Sequence, residues 1–268
     1  VTVSNTASSG LDLEYDIFAE ALDLGPFAPG EVAAPPSTTP TMAATSDLKA
    51  MPVASHAPSL NNAFDPADFI YTLDDGIPET GIGFGSPNDF AWLNGFQAQE
   101  GATTITAIST QFTASVGVGT PVTFVLYNDP NNDGDPTDGV LLQEVATTSE
   151  VAGAGAFQTE PIEPTQVEGV FFIGVVVEGI DFPAPIDQSS DQGASWYAAA
   201  GTGTFNTSDL SANSTPPTSI GGNWLTRAQG SYVAFEPVSG TLGPASSAGV
   251  DITFDGTSLA SDAYEGNV

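Results

Sequence analysis

The chain has 268 residues, 40% of them apolar, which is enough for a real core in one large β domain or two smaller ones. Its 33 acidic residues face two basic ones, Lys49 and Arg227, for a formal net charge of -31. That balance excludes nucleic acid as a partner, because a phosphate backbone is repelled and the Lys and Arg needed to release its counterions are absent. Cys is absent as well, which removes disulfides, thiolate zinc sites and Cys nucleophiles.

Residues 1–18 (VTVSNTASSGLDLEYDIF) alternate apolar and polar positions on both sides of Ser8-Ser9-Gly10, the pattern of two strands joined as a hairpin. The run 16–24 is the one candidate for a short helix. Residues 24–62 shift to Pro, Ala, Ser and Thr without a lasting period, which reads as a linker or a segment draped over a neighbour. Strand-like runs then follow at 69–73, 91–98, 103–112, 121–127, 139–145, 167–178, 195–200, 224–228 and 232–236, separated by Gly, Pro, Asn and Asp. Short runs at this spacing point to a β-sandwich or jelly roll. Residues 237–268 hold one clean strand at 249–254 and stop just past Tyr264, where a further strand should begin.

The two ends share a resemblance. Asn5 to Ile17 (NTASSGLDLEYDI) resembles the opening of the immunoglobulin-like repeats of secreted bacterial multidomain surface proteins, with Thr6-Ala7 in place of the usual Thr-Gly. Pro237 to Val268 resembles the later half of the same repeat, through Ser-Gly-Thr, a Pro-plus-Ser turn, the alternating strand, Leu259 and Tyr-x-Gly. The middle, with YTLDDG, ITAIST, GVFFIGV and NWLTRA, resembles a β-sandwich module inserted in such repeats. The resemblance implies an all-β chain: residues 1–23 and 237–268 form a split immunoglobulin-like sandwich, 24–62 is a linker, and 63–236 is a larger inserted β-sandwich or jelly-roll domain. Two strands from either end are marginal alone, so pairing the ends buries faces that neither can bury by itself.

The sharpest chemical motif is Asp129-Pro130-Asn131-Asn132-Asp133-Gly134-Asp135, the first half of a calcium loop in which alternate side-chain oxygens converge and a Gly makes the sharp turn. Position twelve is Val140 rather than Glu, and Asp138 stands near enough to substitute. The candidate ligands are thus Asp129, Asn131, Asp133, Asp135 and Asp138, with calcium as the cofactor; the alternative is an Asn/Asp/Gly-rich hairpin turn with no ion. Asp74-Asp75-Gly76 and the set Asp181, Asp187 and Asp191 are weaker clusters of the same kind.

Catalytic sets are not apparent. The only His is His56, inside the low-complexity segment, which leaves Ser without a positioned base, and no motif pairs two carboxylates for glycoside hydrolysis. The expectation is therefore a non-enzymatic extracellular or cell-surface protein, structural or adhesive, of which this chain is an excised mature piece with no membrane-inserting run. Its expected partners are copies of itself or neighbouring domains of a parent protein. An edge left unpaired after Tyr264 suggests a surface filament built by strand addition, the donor being a neighbouring copy or residues 24–62. The alternative is a calcium-dependent carbohydrate-binding accessory module, with Trp92, Trp196 and Trp224 either stacking on a glycan or filling the core. Arg227, among so many carboxylates, is expected in an ion pair that pins a strand. Asn206-Thr207-Ser208 and Asn213-Ser214-Thr215 match the N-glycosylation pattern.

Overall fold

Alternating and continuous apolar runs bounded by Gly, Pro, Asn and Asp favour strands over helices, and strands are what the chain builds. A computed structural model describes residues 2–4, 13–16, 20–23, 48–52, 69–84, 87–151, 153, 155–231, 233–236, 239–242, 247–249, 251–254 and 265–267. In chain order the strands are β1 (Thr2–Ser4), β2 (Leu13–Asp16), β3 (Glu20–Asp23), β4 (Leu48–Pro52), β5 (Phe69–Tyr71), β6 (Thr80–Phe84), β7 (Asp89–Gln97) and β8 (Thr104–Gln111). There follow β9 (Pro121–Asn128), β10 (Val140–Thr148), β11 (Phe157–Gln166), β12 (Val170–Val177), β13 (Ala184–Asp187), β14 (Ser195–Ala200) and β15 (Thr215–Ser219). The last are β16 (Asn223–Trp224), β17 (Thr226–Ser231), β18 (Val233–Glu236), β19 (Ser239–Leu242), β20 (Ser247–Gly249), β21 (Asp251–Phe254) and β22 (Glu265–Asn267). Among the described residues the only helical turns are two short 3₁₀ turns, Pro136–Asp138 and Leu210–Ala212, so the fold is all-β.

Three antiparallel sheets carry the middle of the chain, in the orders β10-β9-β12-β7-β14-β15, β11-β8-β17-β5 and β16-β13-β6-β4. Their facing sides share one core, with Phe90, Trp92, Phe124 and Phe171 from the first sheet, Tyr71 and Ile108 from the second, and Ile82 and Trp224 from the third. The first sheet is apolar on its other face too, where Leu93, Val125, Phe172 and Trp196 pack with Leu210. Burial on both faces explains why β12 (VFFIGVVV) and the centre of β7 read as unbroken apolar runs rather than alternations. Two glycines make this packing possible. A Cβ on Gly95 would stand 2.8 Å from the ring of Phe172, its cross-strand partner, and Gly174 leaves similar room opposite Leu93.

Several strands escape the sequence pattern because turn-type residues dominate them. β11 (FQTEPIEPTQ) and β15 (TPPTS) are edge strands, where Pro costs no ladder hydrogen bond, while Gly81 and Gly83 dilute β6. β4 lies inside the segment read as a linker and pairs with β6 from Leu48↔Phe84 to Pro52↔Thr80, so part of that segment belongs to a sheet.

At the ends, β1 pairs with β20, β2 with β19 and β3 with β22, all antiparallel, and β18 pairs with β21. Every described strand of residues 2–23 therefore finds its partner in residues 239–267. This corrects the expected hairpin: alternation reports that one face is buried but does not name the partner, and β1 and β2 each take a C-terminal strand instead. The one candidate for a short helix, 16–24, holds a strand instead over the described Glu20–Asp23, which pairs with β22. Glu265–Asn267 is itself the strand that appeared to be missing. The Ser8-Ser9-Gly10 turn, Tyr264 and His56 lie outside the described residues.

Candidate metal centre

β9 and β10 are adjacent antiparallel strands, and their connection is the 129–139 loop. Asp129 is fully buried at its start: Oδ1 accepts the backbone N–H of Asn131 at 3.2 Å and of Asn132 at 2.9 Å, and Oδ2 accepts that of Gly134 at 2.8 Å. Wrapping the backbone around one carboxylate requires left-handed conformations at Asn132 (φ 58°) and Gly134 (φ 80°), which these residue types adopt most readily. The loop is also tied to β12, because Asp129 donates its N–H to Val170 O at 3.0 Å and Asn132 Oδ1 accepts the Val170 N–H at 2.7 Å.

The consequence of this wrapping is convergence. Carboxylate oxygens of Asp129, Asp133 and Asp138 lie within 4.8 Å of one another, the only such three-residue group of metal-ligating side chains among the described residues. Asn131 crosses the group, donating its Nδ2 to Asp133 Oδ2 at 3.1 Å and to Asp138 Oδ2 at 2.9 Å, while its Oδ1 accepts the Asp133 N–H at 2.9 Å. Partial desolvation, helped by the carboxylates of Asp129, Asp133 and Asp135, holds the Asp138 carboxyl above the usual carboxylate range. Concentrated negative charge of this kind is what a hard cation with oxygen ligands neutralises.

Asp135 does not join the group. Its Oδ1 caps the turn Pro136–Asp138, accepting the Thr137 N–H at 2.9 Å and the Thr137 hydroxyl at 2.5 Å, so the group that converges holds Asp129, Asp133 and Asp138 without it. The physical reason is the Pro at 136, which starts a helical turn there and recruits the preceding Asp as its cap.

Of the other carboxylates singled out in the sequence, Asp74, Asp187 and Asp191 serve the fold, whereas Asp181 leaves its buried Oδ1 without a hydrogen-bond partner among the described residues. Asp74 makes a bidentate pair with Arg227, at 2.6 Å to Nη2 and 3.2 Å to Nε, and Arg227 stacks its guanidinium over Phe157 at 4.2 Å from the ring centre. Burial pushes the Asp74 carboxyl up, and Arg227 opposes that shift. Asp187 accepts the N–H groups of Asp75 at 3.1 Å and Ser189 at 2.7 Å, and Asp191 accepts that of Gly193 at 2.8 Å. Sequence reasoning missed Asp89, fully buried at the start of β7, which accepts N–H groups of Gly179, Thr204 and Phe205 at 3.2, 3.0 and 3.3 Å and so clamps two loops. Its one signal was an Asp opening an apolar run.

The three Trp residues are core. Trp92 and Trp224 are 0% exposed and Trp196 is 9% exposed, which decides between the two readings of them in favour of the core. Trp92 and Trp224 even spend their indole N–H inside, on Thr226 Oγ1 at 3.0 Å and Trp196 O at 2.7 Å.

No family model and no curated protein matches the chain. Among solved structures, it is similar to the cysteine protease and lectin-like domains of Cwp84, a surface layer associated protein of Clostridium difficile, at 14% identity and a TM-score of 0.40. That similarity covers 63% of this chain and only 37% of the other, and at this level it says nothing of activity or ligand.

Proposed function

We propose that the chain is a non-catalytic, extracellular structural or adhesive module whose β9–β10 connection is locked by calcium. The observation that carries this reading is the convergence of Asp129, Asp133 and Asp138 within 4.8 Å on a loop already wound around Asp129. The donor set suits a hard ion: carboxylate oxygens, and no His or Cys ligand beside them among the described residues. Asn131 adds a fourth oxygen if its amide turns over, and water completes the six to eight ligands calcium takes. Without the bidentate Glu of a complete calcium loop, affinity belongs to the weak end of the range, about 10⁻⁴–10⁻³ M, which is useful where calcium is abundant, outside cells. A surface of net charge -31 gains further from bound cations, since they relieve its self-repulsion.

The end pairings support a second level of organisation, in which residues 1–23 and 237–268 make one immunoglobulin-like unit interrupted by the 63–236 sandwich. Partners in this reading are copies of the chain or neighbouring domains. Filament assembly by strand addition is its finer form, and β10 is the edge that suits it. β10 spans nine residues without a proline, whereas the edges β11 and β15 carry Pro161, Pro164, Pro216 and Pro217.

Calorimetric titration with calcium, magnesium and sodium tests the proposal, together with thermal melts in calcium and in chelator. The expected result is selective calcium binding that raises the melting temperature of the wild type and leaves Asp133→Asn unaffected. Equal melting curves of the wild type in calcium and in chelator overturn it.

A further inference from the structure

The two N-glycosylation patterns stand on the same loop, seven residues apart, and the sequence offers no way to choose between them. Asn213-Ser214-Thr215 and Asn206-Thr207-Ser208 both supply an amide nitrogen and a hydroxyl two residues on. Their surroundings are opposite. Asn213 is 6% exposed and its amide is consumed by the fold: Nδ2 donates to Asn206 O at 3.0 Å and to Leu210 O at 3.1 Å, while Oδ1 accepts the Asn206 N–H at 2.8 Å. A sugar on that nitrogen would remove one of the two donors and need space inside the loop.

Asn206 is exposed. Its Oδ1 accepts the Asp209 N–H at 3.0 Å, and its Nδ2 has no acceptor among the described residues. The loop holds this amide in place from beneath. Leu210 is buried in the outer apolar cluster, Tyr127 donates its hydroxyl to Thr207 O at 2.8 Å, and Asp89 accepts the N–H groups of Thr204 and Phe205. Ser208, which completes the pattern, is exposed too.

We infer that Asn206 is an N-glycosylation site of the folded protein and that Asn213 is not. In the step, Asn206 Nδ2 attacks the anomeric carbon of a glycosyl diphosphate donor on a sequon-specific transferase. The N–C bond forms as the C–O bond to the diphosphate breaks; the leaving diphosphate keeps the electron pair, and one Nδ2 proton passes to a base of the transferase. The remaining N–H and Oδ1 stay on Asn206, so the bond to Asp209 survives. This inference does not rest on the calcium reading, since no ligand of that site takes part.

The experiment incubates the purified, folded chain with a soluble sequon-specific N-glycosyltransferase and a uridine-diphosphate hexose. Cleavage before Asp residues then puts the two sites on different peptides, 191–208 and 209–250, for mass spectrometry. The expected result is one hexose on 191–208, lost in Asn206→Gln and retained in Asn213→Gln, with both peptides modified when the wild type is first unfolded in urea. Modification of 209–250 in the folded chain, or an unmodified 191–208 peptide in the folded chain when the unfolded chain is modified there, overturns the inference. The same digestion of chain isolated from its native source is expected to show glycan on 191–208, and an unmodified native peptide overturns the assignment as a physiological site.

Discussion

Asp74 and the Asp129 loop are two answers to one problem, the gathering of negative charge in a chain that has almost no cations of its own. At Asp74 the chain spends Arg227, one of its two basic residues, in a bidentate pair whose partners are 0% and 14% exposed at their side chains. At the loop three carboxylates converge with only the Asn131 amide between them. The difference teaches where an external ion belongs: Asp74, sealed in with Arg227, must be matched from within, whereas a group whose Asp133 and Asp138 are exposed can take its cation from solvent.

Breaking the internal pair has the largest expected effect. Arg227→Met leaves Asp74 buried and uncompensated, and is expected to cost about 3–5 kcal/mol in chemical denaturation. Adding Asp74→Leu should recover part of that loss; equal stability of the single and double variants would show that the pair is not coupled. Calcium removal comes next. Chelator is expected to destabilise the wild type by about 2.7 kcal/mol relative to calcium at a hundred times its dissociation constant. Asp133→Asn should abolish that difference while leaving the cost of Arg227→Met unchanged.

Asp135 sharpens the comparison, because it sits in the motif yet caps a turn. Asp135→Ala is expected to cost about 1 kcal/mol with the calcium response intact, and loss of the response would return Asp135 to the ligand set. The smallest effect is the pH dependence of the loop in chelator. Asp138 has a folded carboxyl pKa raised above its unfolded value, so it binds its proton more tightly in the native state. Its contribution to stability is fully present below the unfolded value of 3.8 and is lost as pH rises through the folded one. Melts of wild type and Asp138→Asn across that window, in chelator, should differ in slope in that sense, and calcium should flatten the wild-type curve.

Much of this was legible in the residues. Apolar runs marked β7, β8, β9, β12 and β14, and a net charge of -31 with a single Arg pointed to an ion pair at Arg227. Asp129, Asp133 and Asp138 were legible because a calcium-type loop is local: its spacing and its Gly are contained in ten residues. Less legible were strands whose partners lie far away. β4 and β3 take partners at residues 80–84 and 265–267, and pairing over such distances overrides weak local composition.

By itself the sequence determined the all-β class, the absence of thiol chemistry and the carboxylate loop, because composition, period and short-range spacing act within a few residues. Only the tertiary structure decided which carboxylates meet, that Asp135 caps rather than converges, that all three Trp residues are core, and that Asn206 faces solvent while Asn213 does not. Each of those depends on which groups are brought within hydrogen-bonding distance, and on which are cut off from water, by strands distant in the chain.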